Sequence, residues 1–168
     1  ESHVSLVNQL KQRSIKRQYE AVVSGVLTGG GVVDVPIGRH PVHRKKQAVN
    51  EVGKEAITHY RVLDRYRSHT HVQLSLETGR THQIRVHMTH INHRIVGDQL
   101  YGGRLQMPAA SSPELTKILQ NFKRQALHAK RLSLMHPKTG EQMSWEVETA
   151  DDMRALLYAL KCDHKMLD

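Results

Sequence analysis

Apolar and polar residues alternate along several stretches of this chain, which is the pattern of half-buried β-strands. Between His71 and Glu77 every second residue is apolar, and four residues separate this stretch from the apolar-rich Ile57–Tyr66. We expect these two stretches to pair as a hairpin. The triplet Gly29–Gly31 predicts another hairpin-type turn, because it joins two further strand-like stretches. The remaining predicted strands are residues 16–26, 32–35, 127–135 and 143–147.

Four other stretches carry apolar residues at intervals of three and four, the spacing of one helical face. Those residues are Val4, Val7 and Leu10; Ile84, Met88 and Ile91; Leu115, Ile118, Leu119 and Phe122; and Met153, Leu156, Leu157 and Leu160. The N-caps expected for these helices are Ser2, Thr81, Ser112 and Asp151. No internal repeat or low-complexity segment interrupts the pattern. It predicts one mixed α+β domain, with a mainly antiparallel sheet, covered at least in part on both faces, and flanking helices.

The chain is strongly basic, with 25 Lys and Arg against 16 Asp and Glu, a net charge of +9 and a pI near 9.9. Such a charge favours a polyanionic partner, because neutralising phosphates releases counterions. Many of the basic residues fall in Gly38–Lys54, which we predict to be a loop. They include Arg39, Arg44, Lys45, Lys46 and Lys54. The run favours contact with an RNA backbone, and an ordinary solvated surface is the alternative.

Other features of the composition exclude some classes of protein. Cys162 is the only cysteine, so no internal disulfide can form, which fits a reducing cytoplasm. No apolar run approaches the roughly 20 residues that a membrane span needs. We therefore expect no membrane contact.

The segment Leu76–Met88 changes period at Gly79, from that of a strand to that of a helix. A strand that passes into a helix start can present backbone N–H groups to an anion. Four polar or basic residues crowd this point: Arg80, His82, Gln83 and Arg85. The segment is therefore a candidate phosphate or carboxylate site, and a solvated basic helix start is the alternative.

The stretch Gly79–His87 reads Gly-Arg-Thr-His-Gln-Ile-Arg-Val-His and resembles a signature of the RNA pseudouridine synthases of the ribosomal large-subunit type. Further segments that match this family in order are residues 16–22, 39–41, 53–60, 96–103 and 125–129. The resemblance implies an enzyme that detaches uracil from C1′ of a uridine in large-subunit ribosomal RNA, rotates it and rejoins it through C5. It also implies that no cofactor or metal is needed and that ribosomal RNA is the partner. We further expect a cytoplasmic monomer.

One departure from the family concerns the catalytic aspartate. The family carries it in an Arg-Leu-Asp-x-x-Thr-Ser-Gly stretch, and this chain has no such stretch. We therefore expect residues 1–168 to be the C-terminal part of a catalytic domain, without the aspartate segment or any N-terminal RNA-binding domain, and inactive alone. The alternative is a non-catalytic RNA-binding domain that kept the fold.

The resemblance assigns catalytic roles to Arg85 and Tyr19. Arg85 would anchor the aspartate, since a guanidinium can grip a carboxylate with two hydrogen bonds and keep it ionised. The alternative is an arginine whose methylene groups cover the edge of the core. Tyr19 would pack against the target uracil, with a buried strand tyrosine as the alternative. The expected RNA contacts are Arg39, Arg44, Lys45, Lys46, Lys54, Arg80, His82 and Gln83.

Two other groups of residues suggest sites less strongly. His87, His90 and His93 could indicate a metal-dependent hydrolase, but on a helix the third lies about 240° from the first. Asp64 follows a leucine as the family's nucleophile does, but its sequel differs, and we expect it to pair with Arg65 or Arg67. By resemblance, Asp98 is structural.

Overall fold

The computed structural model describes residues 1–165 and has four helices and eight strands in that range. In chain order they are α1 Ser2–Lys11, β1 Lys16–Ser24, β2 Gly31–Asp34, β3 Ile37–Arg39, β4 Gln47–Val49, β5 Ile57–Arg65, β6 His69–Leu76, α2 Gln83–His90, α3 Pro113–Asn121, β7 Leu127–Met135, β8 Gln142–Glu146 and α4 Asp151–Lys165. Six strands form one sheet in the order β2-β5-β6-β1-β7-β8, and β3 pairs with β4 separately. All of these pairs are antiparallel. The predicted mixed α+β class is confirmed.

Strand β1 lies inside the sheet, between β6 and β7. Its consecutive residues Ala21, Val22 and Val23 are all 0% exposed, so the sheet is covered on both faces here, as predicted. The hairpin expected at Gly29–Gly31 is wrong, because β2 pairs with β5 and not with β1. The physical reason is that β1 has apolar residues on both faces and needs a neighbour along each edge. The short, half-exposed β2 fits an outer position instead.

The predicted hairpin between the fifth and sixth strands is confirmed, with a register shift between Val62 and Asp64. The strand Leu127–Met135 is also confirmed, and it pairs with the strand predicted around Trp145. Among the caps, Ser112 is confirmed, since its hydroxyl accepts a hydrogen bond from Leu115 N–H at 3.2 Å. The other predicted caps are wrong: Glu1 precedes α1, and Asp151 lies inside the first turn of α4.

The basic stretch predicted as a loop contains the β3–β4 hairpin, so that prediction is wrong. Both strands have three residues, which is too short for an alternating pattern to be recognised. Ile37 also exchanges two backbone hydrogen bonds with Lys54, each of 2.9 Å. The hairpin therefore projects basic side chains from a fixed backbone.

Helix α2 begins at Gln83 and not at Thr81, and its N-cap is His82. His82 has a φ of 56°, in the left-handed region, and its side chain makes no capping hydrogen bond. Ile84 and Met88 of this helix enter the core, where they join Leu115 and Leu119 of α3. Among residues 1–165, no helix is both long enough and apolar enough to cross a membrane.

Candidate functional site

Residues 77–82 join β6 to α2 and form what we call the signature turn. One buried glutamine, Gln83, holds this turn together. Its amide oxygen accepts hydrogen bonds from Thr78 Oγ1 at 2.8 Å and from Arg80 N–H at 2.9 Å. Its amide nitrogen donates to the Ile57 carbonyl and to Thr58 Oγ1, both at 3.0 Å. Gln83 is 2% exposed, and its amide has no hydrogen-bonding capacity left. The structure therefore contradicts the RNA contact predicted for Gln83, which fixes the turn instead.

Arg85 forms a bidentate ion pair with Asp98. Its Nε donates to Oδ2 at 2.7 Å and its Nη2 to Oδ1 at 2.8 Å. The Arg85 side chain is 14% exposed and the Asp98 side chain 1%. Paired guanidinium–carboxylate bonds of this kind are both strong and directional. The carboxylate that Arg85 holds in this structure thus lies within the chain.

The surroundings of Asp98 keep both members of this pair charged. Its Oδ1 also accepts hydrogen bonds from Leu100 N–H at 2.9 Å and Tyr101 N–H at 3.0 Å. Burial raises the pKa of Asp98, but the Arg85 guanidinium and these N–H groups outweigh it, so the pKa is lowered overall. The hydrogen bonds that Arg85 donates to Asp98 raise the pKa of Arg85. Asp98 therefore organises its own turn and also fixes the guanidinium.

Tyr101 connects this ion pair to the signature turn and to the β3–β4 hairpin. The Cζ atom of Arg85 lies 4.9 Å from the centre of the Tyr101 ring, within cation–π range. The Tyr101 hydroxyl accepts a hydrogen bond from Gln47 N–H and lies 2.8 Å from Nδ1 of His82. Its own hydrogen can therefore bond to a neutral His82. Burial, followed by the nearby charge of Arg85, lowers the pKa of His82, which favours that neutral form.

Sequence reasoning missed the role of Tyr101 at the site. The signal lies in the Gly-Asp-x-x-Tyr spacing of residues 97–101. An aspartate that accepts the N–H groups two and three residues later closes a tight turn, and this places the tyrosine next to it. The identity of the other partners, Gln47 and His82, could not be read from that spacing.

Tyr19 lies on β1, opposite Leu74 of β6 and Ala129 of β7. Its side chain is partly buried and packs against the core cluster that contains Ile84 and Met88 of α2. Part of Tyr19 therefore packs on the core, as a buried strand tyrosine would, and part stays accessible, as contact with a uracil would require.

Arg17 of β1 contacts the signature turn from the face of the strand that also carries Tyr19. It lies two residues before Tyr19, so the two side chains point to one face of the strand. Its Nη1 lies so close to Gly79 that a side chain at that position would clash with it. Its Nε is buried and has no hydrogen-bond partner among residues 1–165. The sequence analysis did not single out Arg17, because its role depends on this contact between distant segments.

A basic groove lies between the β3–β4 hairpin and the signature turn, with a volume of about 530 Å³. Its cationic side chains are Arg39, Lys54 and Arg80, and none of the described residues that line it is acidic. Arg80 is oriented by a 2.8 Å hydrogen bond from its Nε to the Glu55 carbonyl. The structure thus brings together three of the predicted RNA contacts.

The other predicted basic contacts lie elsewhere. Arg44 and Lys45 are exposed in the turn between β3 and β4, and they line neither this groove nor the other described cavities. Lys46 lines a separate cavity on the hairpin. Arg80 also lines a second cleft, in which Arg13 pairs with Glu55 and Glu77. That cleft contains acidic groups and is a poorer phosphate site.

The three histidines of the weak metal hypothesis do not converge. His87 is 0% exposed and is bonded to Thr58 Oγ1 at 2.8 Å and to the Val35 carbonyl at 3.0 Å. His93 Nδ1 instead lies 2.9 Å from the Ser24 carbonyl. In the described part of the chain, no group of three or more His, Cys, Asp or Glu side chains could hold a metal ion.

The ion pair expected for Asp64 is wrong. Asp64 accepts a hydrogen bond from the backbone N–H of Arg65 at 3.0 Å. The Arg65 guanidinium donates to two backbone carbonyls, and Arg67 pairs with Asp163 at 2.9 Å. The ion pair between Arg67 and Asp163 could not be predicted from neighbouring residues, because Asp163 lies in the last helix.

Comparisons with known proteins agree with this fold. The family model described as RNA pseudouridylate synthase matches residues 1–90. A ribosomal large subunit pseudouridine synthase D from Pseudomonas aeruginosa is 54% identical over 98% of this chain and 52% of its own length. The protein of that name from Haemophilus influenzae is 53% identical over 97% of this chain and 50% of its own length. The chain thus spans about half the length of these relatives.

Two solved human structures share the fold. They are RNA Pseudouridylate Synthase Domain Containing 4, with a TM-score of 0.71 at 24% identity, and Domain Containing 1, with a TM-score of 0.68 at 22% identity. Each covers 94% of this chain, which corresponds to 67% and 70% of their own chains. The family model accounts for more than half of the chain, and this protein belongs to the RNA pseudouridylate synthase family.

Proposed function

We propose that this protein acts in the isomerisation of uridine to pseudouridine in large-subunit ribosomal RNA. The reaction breaks the bond between uracil N1 and C1′, turns the base and joins C5 to C1′. The proton on C5 is lost and N1 gains a proton, so no cofactor is required by the atom balance. The substrate in this proposal follows the names of the relatives, and a cytoplasmic location follows from that substrate.

The observation that carries the proposal is the fixed, partly accessible guanidinium of Arg85. Asp98 occupies its Nε and Nη2, whereas Nη1 makes no hydrogen bond to any of the described residues. A guanidinium has five N–H donors, so it can hold a second carboxylate while the first keeps it in place. We propose that this second carboxylate is the catalytic aspartate, and that Arg85 keeps it ionised.

Tyr19 supplies the contact with the base in this proposal. A uridine must leave its helical stack before its glycosidic bond can be reached, and contact with an aromatic ring offsets part of the unstacking free energy. Tyr19 lies on the same face of β1 as Arg17, and Arg17 contacts Gly79 of the signature turn. The ring is therefore on the strand that meets the turn carrying Arg80.

The basic groove supplies the contact with the RNA backbone. Arg39, Lys54 and Arg80 come from three different segments, and no acidic side chain among the described residues lines the groove beside them. Because phosphate contacts position a nucleic acid without reading its sequence, these residues would orient the strand. Arg44 and Lys45 would add long-range attraction from the exposed hairpin turn.

The aspartate is not found in its motif within these 168 residues. We propose that the reaction needs an added segment with the Arg-Leu-Asp-x-x-Thr-Ser-Gly motif. The aspartate acts either as a nucleophile on C1′ or as a base at C2′.

The test is formation of pseudouridine in a transcript of large-subunit ribosomal RNA, measured by nucleoside chromatography. We expect no turnover by the 168-residue chain alone and measurable turnover when a segment with the motif is added. Replacing the aspartate of that segment by asparagine should abolish turnover. Arg85→Gln should reduce it by about 100-fold or more, the effect of removing one preorganised electrostatic interaction. Arg61→Gln is the matched control and should leave turnover unchanged, because Arg61 is exposed and, among residues 1–165, its side chain bonds only to Gln73.

Two outcomes would contradict the proposal. Robust turnover by these 168 residues alone would show that the nucleophile lies within them. Tight RNA binding without turnover, with the added segment present, would favour the non-catalytic RNA-binding domain. Thermal unfolding of Arg85→Gln establishes that any loss is not caused by misfolding, and Tyr19→Leu provides an independent variant of the same site.

A further inference from the structure

A second cavity, of about 360 Å³, borders the β3–β4 hairpin. Strand β3 contributes Arg39 to the basic groove, whereas β4 contributes Ala48 and Val49 to this cavity. Gln47 lines both spaces. Neither Tyr19 nor Arg85 lines the cavity, but Tyr101, which lies against Arg85, does, so the cavity adjoins the site assigned to the target uridine.

The inner wall of the cavity is largely apolar. It is formed by Ala48 and Val49 of β4, by Val86 of α2, and by Leu100 and Tyr101 of the turn that follows Asp98. Val86 is 4% exposed and belongs to a small core cluster against which Val49 and Tyr101 pack. This wall therefore offers an apolar surface to a flat, weakly polar group.

The rest of the lining is mostly basic and also includes Gln47, Thr89 and Gly103. It contains Lys46, Arg94 and two histidines, His40 and His90, and none of the described lining residues is acidic. His40 Nδ1 accepts hydrogen bonds from Val42 N–H and His43 N–H, both at 3.1 Å. A neutral His40 therefore carries its proton on Nε2, which is then a donor. A rim of donors without acceptor carboxylates matches a phosphate.

We propose that this cavity binds a second nucleotide of the RNA strand, a neighbour of the target uridine, with its base against the apolar wall and its phosphate between Lys46 and Arg94. The inference rests on the proposed function, since it needs the strand to lie in the basic groove. The combination of an apolar wall and an acid-free cationic rim fits a nucleotide, because a base buries apolar surface and a phosphate carries the charge. The volume is at the lower end of ligand-binding pockets and suits one nucleotide rather than a duplex.

The link between the two spaces is the hairpin itself. The Gln47 N–H is bonded to the Tyr101 hydroxyl at 2.8 Å, so the strand that separates groove and cavity is anchored to the turn beside Arg85. A nucleotide seated in the cavity would press on this same anchored strand. Binding of the neighbour would thereby fix the strand relative to the target site.

The experiment compares two probes by fluorescence anisotropy: an oligouridylate of about eight nucleotides, the length that one small domain can cover, and an abasic ribose-phosphate oligomer of equal length and charge. We expect the wild-type chain to prefer the oligouridylate. Ala48→Phe fills the cavity and should weaken binding of the oligouridylate about tenfold, the contribution of one bound base, while leaving the abasic oligomer unchanged. Ala155→Phe, on the exposed surface of α4, is the matched control and should change neither.

A second variant keeps the test independent of how well Ala48→Phe folds. Lys46→Gln with Arg94→Gln should lower the slope of log affinity against log salt by about 0.7 for both probes, because the two side chains share one phosphate and each neutralised phosphate of a single strand contributes about 0.7 to that slope. The exposed pair Lys117→Gln with Lys161→Gln should leave that slope unchanged.

Equal weakening of both probes by Ala48→Phe, or no weakening, would overturn the base pocket while leaving the RNA-binding proposal standing. An unchanged salt slope for the Lys46 and Arg94 variant would overturn the assigned phosphate contact. If the wild-type chain binds neither probe, the proposed function itself fails, and the cavity inference fails with it.

Discussion

Arg85 and Asp98 are 13 residues apart in the chain, and two parallel hydrogen bonds of 2.7 and 2.8 Å join their side chains. The pair ties α2 to the turn that carries Tyr101. Because Asp98 is almost fully buried and also accepts two backbone N–H groups, the guanidinium cannot rotate freely. The geometry of the proposed catalytic arginine is therefore set before any substrate binds.

The first prediction concerns the stability that this pair provides. Asp98→Asn should lower the free energy of unfolding by about 3 kcal/mol, because it leaves a partly buried guanidinium without its counter-charge. The measurement is urea unfolding at neutral pH. Asp152→Asn is the control: Asp152 pairs with Arg124 in a bridge whose side chains are 48% and 43% exposed, and its loss should cost less than about 1 kcal/mol. Equal effects of the two variants would contradict the prediction.

Tyr101→Phe should loosen the β3–β4 hairpin. Removal of the hydroxyl leaves the Gln47 N–H and His82 Nδ1 without their partner, which should cost about 1–2 kcal/mol of stability. Amide hydrogen exchange at residues 47–49 should become faster. Tyr158→Phe, at a side chain that is 72% exposed, should leave this exchange unchanged. Unaltered exchange in Tyr101→Phe would show that the hairpin does not depend on the hydroxyl.

Gln83→Leu should be a stability variant and not a binding variant. It removes four hydrogen bonds inside the protein and orphans the buried groups that made them, so we expect a loss of about 3 kcal/mol or more. Measured below its melting temperature, the folded variant should keep most of its RNA affinity, because the buried Gln83 acts on RNA only through the position of Arg80. Gln120→Leu on the exposed face of α3 should change neither property. A selective loss of RNA affinity would restore Gln83 to the binding residues.

His69 should make the stability depend on pH. It is 0% exposed, neither ring nitrogen has a partner among residues 1–165, and burial lowers its pKa from 6.5 to about 4. Between these values the unfolded chain binds the proton and the folded one does not. His69 therefore does not lower the free energy of unfolding above pH 6.5. As the pH falls from 6.5 towards 4, that free energy decreases by up to about 1.4 kcal/mol per pH unit.

The measurement for His69 is the free energy of unfolding at about pH 7 and at about pH 5, on either side of the ordinary histidine pKa. His69→Leu should reduce the difference by roughly one proton's contribution, because a leucine cannot titrate. If His69→Leu retains the full pH dependence, other groups titrate in its place.

The groove residues should affect RNA affinity through salt. Arg39→Gln and Lys54→Gln should each lower the slope of log affinity against log salt by about 0.7 for single-stranded RNA. Arg61→Gln, which lies outside the groove, should have no such effect. The comparison separates the groove from the general positive charge of the chain, since all three changes remove one charge.

Several elements could be predicted because their signals are local. The Ser112 cap with Pro113 behind it, the strand Leu127–Met135 and the pairing of β5 with β6 all follow from residues close together in the chain. The N-cap of α2 was predicted one residue too early. Thr81 has the right chemistry for a cap, but His82 takes that position in the left-handed conformation, and histidine is not among the preferred N-cap residues.

The sequence by itself determined the α+β class, the basic surface and the family signature, because alternation, helical spacing and residue identity are properties of neighbouring positions. Only the tertiary structure decided that β1 lies between β6 and β7, that Gln83 is buried, and that Asp98 is the carboxylate that Arg85 holds. Each of these depends on which distant segments meet. The free energy of such contacts comes from burial and complementary geometry between segments that are distant in the chain, and local sequence patterns predict neither.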